Sequence, residues 1–110
     1  MDIFVKGDVV VVSFPFSDMS GSKKRPALVV AQLHGDDVIL CQITTPARPD
    51  SYSLPLLKMD FAAGGLDHDS HIRPNRLFTA DSRIIVRRAG KLSSKKIKDV
   101  VDKIVEIIRS

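Results

Sequence analysis

Short apolar runs punctuated by turn-forming residues fill the first ninety positions of the chain. Gly7-Asp8 precedes an apolar run at 9–14, and the stretch 15–21, rich in Pro, Ser and Gly, closes it; a run bounded in this way predicts a strand. Residues 27–31 and 38–44 are β-branched-rich runs on either side of His34-Gly35-Asp36-Asp37, whose Gly and Asp residues favour a tight reversal, so the two predict a hairpin. Tyr52, Leu54 and Leu56 alternate with Ser51, Ser53 and Pro55, giving one apolar face at period two and placing Pro55 on an edge or at a bulge. Residues 77–79 and 84–86 read as later strands. Residues 60–70, with Gly64-Gly65 and three acids, read as a loop.

Near the C-terminus the period changes. Ile97, Val100, Val101, Ile104, Val105 and Ile108 follow the i, i+3, i+4, i+7, i+8, i+11 positions of one helical face. Ser93 is placed to cap this amphipathic helix, and Leu92 before it to pack on Ile97 as a hydrophobic staple. The apolar stripe is then available to cover the sheet or a partner. Short strands followed by one helix predict a mainly β fold, a small SH3-like β-barrel plus a C-terminal α-helix, because closure removes the edges that short strands would otherwise expose.

A length of 110 residues suits one domain spanning 1–110, with a core large enough to need neither disulfide nor structural metal. Seventeen Lys and Arg against thirteen Asp and Glu leave a formal charge of +4. The excess gathers at Lys23-Lys24-Arg25, Arg87-Arg88 and Lys95-Lys96, a pattern that suits a polyanionic partner, though any one cluster also serves as a solvated face. Cys41, the one cysteine, sits in the apolar run Val38-Ile39-Leu40-Cys41 and reads as a buried structural thiol, which excludes an intrachain disulfide framework or a cysteine-rich zinc site. No basic-then-apolar leader opens the sequence and no apolar run approaches the roughly 20 residues of a membrane span, so a cytoplasmic location and no membrane partner are expected.

The succession Gly7-Asp8-Val9-Val10, Phe14-Pro15-Phe16-Ser17-Asp18, Arg25-Pro26-Ala27-Leu28-Val29-Val30 and Gln42-Ile43-Thr44-Thr45 closely resembles the N-terminal half of MazF/PemK toxins in order and spacing. Asp69-Ser70, Ile72-Arg73-Pro74, Leu77-Phe78-Thr79, Asp81 and Gly90-Lys91-Leu92-Ser93 extend the likeness over nearly the whole chain. Each piece is weak alone and their ordered combination is specific. The resemblance implies a homodimeric type II toxin that cuts single-stranded RNA without metal or cofactor and is neutralised by a cognate antitoxin. It further implies that the toxin–antitoxin complex binds its own operator DNA.

Such cleavage proceeds by attack of the ribose 2′-OH on the neighbouring phosphate, which needs proton transfer and positive charge at the phosphoryl oxygens. The resemblance assigns catalytic roles to Arg25, from the Arg-Pro motif, and to Thr44. A guanidinium offers a planar fork of donors to phosphate, and the hydroxyl can hold a phosphate oxygen or orient the attacking group. Thr45, beside Thr44, points to the opposite strand face and is the alternative to it. Ser70, His71 and Arg73 match the family's RNA-binding region, and histidine titrates near neutrality. Lys23 and Lys24, read as part of a loop, are placed to follow an RNA backbone.

The sequence departs from the better-studied branch at two acidic positions, where Ser22 and Asn75 stand. Asp18 and His71 are then the groups left to compensate for the missing carboxylates. A second class of function fits the same fold: a non-enzymatic binder, either a gyrase poison acting through its helix or a degenerate toxin acting as a DNA-binding co-repressor with its antitoxin. The Arg-Pro and Ile-Thr motifs resemble the nucleases and weigh against it.

Overall fold

The computed structural model describes residues 3–15, 22–45 and 50–110; Asp18 lies outside the described residues. Strands β1 (Asp8–Pro15), β2 (Ser22–Gln32), β3 (Asp37–Thr44), β4 (Leu54–Leu56), β5 (Phe61–Gly64), β6 (Ser70–Asp81) and β7 (Ile85–Leu92) precede helix α1 (Ser94–Arg109). All seven strands join one antiparallel sheet in the order β4-β6-β3-β2-β1-β7-β5, curled into a half-barrel. The expected mainly β architecture with a terminal helix is therefore the observed one.

Neighbouring side chains on a strand point to opposite faces, and here both faces are apolar. Val9 and Val10, adjacent in β1 and both fully buried, belong to different clusters. Val9 joins Leu28, Ile43, Leu56, Ile72 and Leu92, and this cluster is closed by α1 through Val100, with Ile97 and Ile104 packed against it. Val10 joins Val12, Ala27, Val29, Leu40 and Phe4, covered by the sheet's own curl through Phe78, Ile84 and Ile85. Each fully buried Val or Leu of this kind is worth about 1.5–3 kcal/mol of burial. The Ser93 hydroxyl accepts from the Lys96 amide at 3.2 Å and starts the helix as predicted. Val105 and Ile108 of the same stripe stay exposed. Among the described residues no helix is long and apolar enough to cross a membrane.

Four expectations are corrected. Residues 60–70 are no simple loop: β5 occupies Phe61–Gly64 and β6 begins at Ser70. Gly64 concealed β5, because it is paired with Gly90 of β7 at φ +65, and a Cβ on either residue would run into the opposing backbone. Lys23 and Lys24 lie in β2, opposite Phe14 and Ser13, rather than in a loop. Ile84 ends a 3₁₀ turn, Ser82–Ile84, and β7 runs on from Ile85 through Arg87 and Arg88 to Leu92. Tyr52 stands in an exposed turn, and only Leu54–Leu56 form the strand, at the sheet edge where Pro55 lacks no ladder partner it needs.

The N-terminal segment is held by one buried acid. Asp8 Oδ2 accepts the Val5 amide at 2.9 Å and pairs with Arg88 Nε at 3.1 Å, while Oδ1 faces Lys91 Nζ at 3.5 Å, so the buried charge is compensated. Gly7, immediately before it, has φ +97 and donates to Val29 O at 2.8 Å; a Cβ there would meet Ile97 Cδ1 at 2.5 Å. The left-handed backbone and the helix contact both oppose a side chain. Gly7→Ala is expected to destabilise the fold by about 1–3 kcal/mol, read as a lower denaturant midpoint at unchanged slope; an unchanged midpoint would refute this role.

Candidate functional site

The strand register gathers most of the polar residues singled out by sequence at one end of one sheet face. Arg25 pairs with Val12, and Ala27 two residues on pairs with Gln42. Gln42 pairs with Arg73, and Thr44 with His71. Cross-strand partners share a face and strand residues alternate, so Arg25, Gln42, Thr44, His71 and Arg73 all lie on the Val10–Val12 side of the sheet. By the same alternation Lys23 shares this face and Lys24 faces the other way; both are exposed.

Thr45 and Ser70 lie elsewhere. Thr45 is exposed beyond the end of β3. Ser70 pairs with Leu56 and is 1% exposed, on the opposite face from His71, and its hydroxyl donates to the His68 carbonyl at 3.0 Å.

An interruption in β6 shapes the site. Cys41 pairs with Leu77, yet the next residue, Gln42, pairs with Arg73, so Pro74, Asn75 and Arg76 bulge out of the ladder. Proline, which has no amide to donate, is suited to such a place, and here it is fully buried. The Cys41 thiol donates to the Arg73 carbonyl at 3.0 Å and ties the near end of the bulge to β3. An open depression of about 510 Å³ lies over the bulge, lined by Gln42, Asn75, Arg76, Leu77 and Phe78.

Sequence reasoning missed Asp50. Its Oδ2 accepts from Arg73 Nη2 at 2.6 Å and from Asn75 Nδ2 at 3.2 Å, and its Oδ1 accepts from the Tyr52 amide at 2.9 Å and the Ser53 hydroxyl at 3.0 Å. These bonds, the Arg73 guanidinium foremost, hold the carboxyl well below the usual carboxylate range. A carboxylate so paired is a poor proton acceptor and an effective anchor. The Asp50-Ser51-Tyr52-Ser53 pattern is an Asx/Ser turn signal that could have located it.

Asp50 brings negative charge beside Asn75, one of the two positions where an acid was missing. It leaves Arg25 as a cation with no ion pair among the described residues, whereas Arg73 is neutralised. Two buried nitrogens, His71 Nδ1 and Arg73 Nε, have no hydrogen-bond partner among the described residues. Buried polar atoms in native proteins are normally satisfied, so these two mark a place where a water or ligand is needed.

A family model described as PemK-like, MazF-like toxin of type II toxin–antitoxin system matches residues 5–108. No curated protein matches the sequence. Among solved structures the chain is similar to MazF of Deinococcus radiodurans, at 16% identity and TM-score 0.76 with 100% of each chain covered. It is also similar to a chain of the MazE–MazF complex from Deinococcus radiodurans, at 16% identity and TM-score 0.80, covering 98% of this chain and 97% of that one. An endoribonuclease from a mycobacterial species matches at 13% identity and TM-score 0.72, covering 98% and 93%. At such identities the likeness is one of fold.

Burial pushes the Cys41 thiol up to about 12 from 9.0, against a smaller lowering by its bond to the Arg73 carbonyl. A thiol that ionises later in the folded chain than in the unfolded one favours the fold below pH 9.0, and that contribution is lost as pH rises from 9.0 toward 12. Stability measured over this range is expected to fall with pH more steeply for the native chain than for Cys41→Ala. Equal slopes would show that the thiol does not report on the fold.

Proposed function

This chain belongs to the family of PemK-like, MazF-like toxins of type II toxin–antitoxin systems, and from that membership we propose that it is an endoribonuclease acting on single-stranded RNA in the cytoplasm. The observation that carries this reading is the gathering of Arg25, Thr44, His71 and Arg73 on one sheet face, with Arg25 free of any ion pair among the described residues. A mycobacterial endoribonuclease shares the fold.

In the proposed reaction the ribose 2′-oxygen attacks the adjacent phosphorus, the P–O5′ bond breaks, and a 2′,3′-cyclic phosphate and a 5′-hydroxyl result. The 2′-OH proton passes to a base and the departing 5′-oxygen takes up a proton. Arg25 supplies charge to the non-bridging oxygens, the Thr44 hydroxyl holds one of them, and His71 exchanges the proton. Metal is not required by this scheme, which the family resemblance supports. Arg73, neutralised by Asp50, orients the site instead of bearing the phosphate. Ser70 acts from the interior by fixing the start of β6, and Thr45 contacts RNA beyond the strand end.

The same reading gives the protein a cognate antitoxin, a homodimeric state, and operator DNA as the ligand of the toxin–antitoxin complex. A solved MazE–MazF pair of this fold supports the antitoxin assignment.

Incubation with a long single-stranded RNA in EDTA, with the new ends mapped, tests the chemistry. Cleavage leaving 5′-hydroxyl ends is expected, and Arg25→Ala should slow it by about 10²–10³-fold, the usual effect of removing one transition-state donor. A folded protein that cleaves no RNA but arrests growth with DNA damage would point to the gyrase-poison reading, and one that arrests nothing to the co-repressor.

Because Lys23 shares the Arg25 face and Lys24 does not, the two should differ in their effect on RNA binding. Lys23→Ala is expected to reduce the slope of log affinity against log salt by about 0.7, the share of one phosphate contact on a single strand, and Lys24→Ala to leave it unchanged. Equal changes would remove the distinction between the faces.

A further inference from the structure

We propose that the depression over the β6 bulge is a nucleobase pocket, in which the carboxamides of Gln42 and Asn75 read one extruded base of the RNA strand. The inference rests on the ribonuclease reading for its ligand class and adds to it the residues that select sequence.

The pocket adjoins the cleavage face directly. Gln42, on its floor, pairs with Arg73 and lies two residues from Thr44 on the same face, so a base seated there belongs to a nucleotide close to the phosphate held by Arg25. Its volume of about 510 Å³ falls within the roughly 300–1,000 Å³ of small-ligand sites. The exposed Arg76 offers a guanidinium plane beside the two carboxamides. Unstacked bases are recognised by stacking on aromatic or guanidinium planes together with hydrogen bonds to their edges.

The amide chemistry is constrained. The Asp50 carboxylate can only accept, so the Asn75 side chain turns its nitrogen toward it, at 3.2 Å. That fixes the Asn75 carbonyl as an acceptor with a known direction and leaves its second N–H as a donor. The Gln42 carboxamide forms no side-chain hydrogen bond among the described residues and supplies a second donor–acceptor pair. One amide oriented by Asp50 and a second one free to turn together offer donors and acceptors to a base edge, the groups by which such edges are read. The unpartnered His71 Nδ1 and Arg73 Nε belong to the residues paired with Thr44 and Gln42, next along the same face.

The test separates base recognition from cleavage. Four 2′-O-methyl oligonucleotides, each of one base, cannot be cleaved by 2′-OH attack and are titrated into the ¹⁵N-labelled protein. The side-chain amide signals of Gln42 and Asn75 should shift with one base in preference to the other three. Gln42→Ala and Asn75→Ala should each reduce the preference for that base at least about tenfold, as loss of a base-edge contact does, with affinity for the other three oligonucleotides little changed. Circular dichroism confirms that the variants are folded. In parallel, cleavage sites of the native chain and of Gln42→Ala are mapped on a long RNA, where the variant should cut at a relaxed motif.

Equal responses to all four bases, or a cleavage motif unchanged in Gln42→Ala, would overturn the pocket while leaving the nuclease intact. Base-selective binding by a protein that cuts no RNA would uphold the pocket and remove the nuclease.

Discussion

Among the described residues, seven strands with apolar side chains on both faces are accompanied by a single α-helix, and this imbalance governs the structure. The helix covers one face, through Val100, Ile97 and Ile104. The other has no second layer among the described residues, so the sheet must bend until that face closes on itself. Val9 and Val10 show the requirement at its sharpest, since neither can be solvated and they point in opposite directions. Curvature of this degree needs interruptions in the ladders, and register shifts occur in β1–β7, β2–β3, β3–β6 and β5–β7. Curling also leaves an end of the sheet where the buried face runs out, and there the side chains of that face become polar: Arg25, Gln42, Thr44, His71 and Arg73.

The largest interruption, at Pro74-Asn75-Arg76, serves the fold and the site together. It lets β6 pair with β3 along almost its full length while changing register, and it buries Pro74 while exposing Asn75 and Arg76 at the margin of the polar end. A bulge left free would be soft. Here it is fixed from inside by the Cys41 thiol on the Arg73 carbonyl and from outside by Asp50, which reaches Arg73 and Asn75 at once. The turn at residues 50–53 is thereby docked on β6, and its own Tyr52 amide and Ser53 hydroxyl complete the carboxylate's bonds. Removing any one of these partners would leave another buried or half-buried polar group unsatisfied, and such a loss costs more than the bond's net worth.

Much of this was legible in the sequence. The helix was the clearest element, since its apolar period and the Ser93 cap are local properties, as were the central strands and the buried thiol at Cys41. What escaped depended on contacts between distant segments. β5 was hidden because Gly64 owes its place to Gly90, twenty-six residues away, and glycine carries no strand signal of its own. β7 was cut short because Arg87 and Arg88 read as a solvated pair, although Arg88 is recruited to the buried Asp8. Pro74, a residue that a strand interior does not favour, is the local mark of the bulge in β6. Of the site, the motif residues Arg25, Thr44, His71 and Arg73 were named from sequence and the structure brings them onto one face; Asp50 was not, because nothing in its neighbourhood says that it will meet residues 73 and 75.

The meeting of Asp50 with Arg73 alters how charge is distributed at the site. Two arginines on one face could share a phosphate, and their motifs alone give no reason to rank them. A carboxylate at 2.6 Å on one of them does. With its charge matched, Arg73 attracts an anion less strongly than Arg25, whose field is unopposed among the described residues, and an approaching phosphate is drawn to the Arg25 side. The same carboxylate turns the amide nitrogen of Asn75, a residue that lines the depression, toward itself and leaves the amide carbonyl free of it. One acidic side chain thus sets the balance of charge on one side of the polar end and the direction of an amide on the other. The spacing between those two positions is set by the β2–β3–β6 register, a property of the curled sheet more than of any single residue.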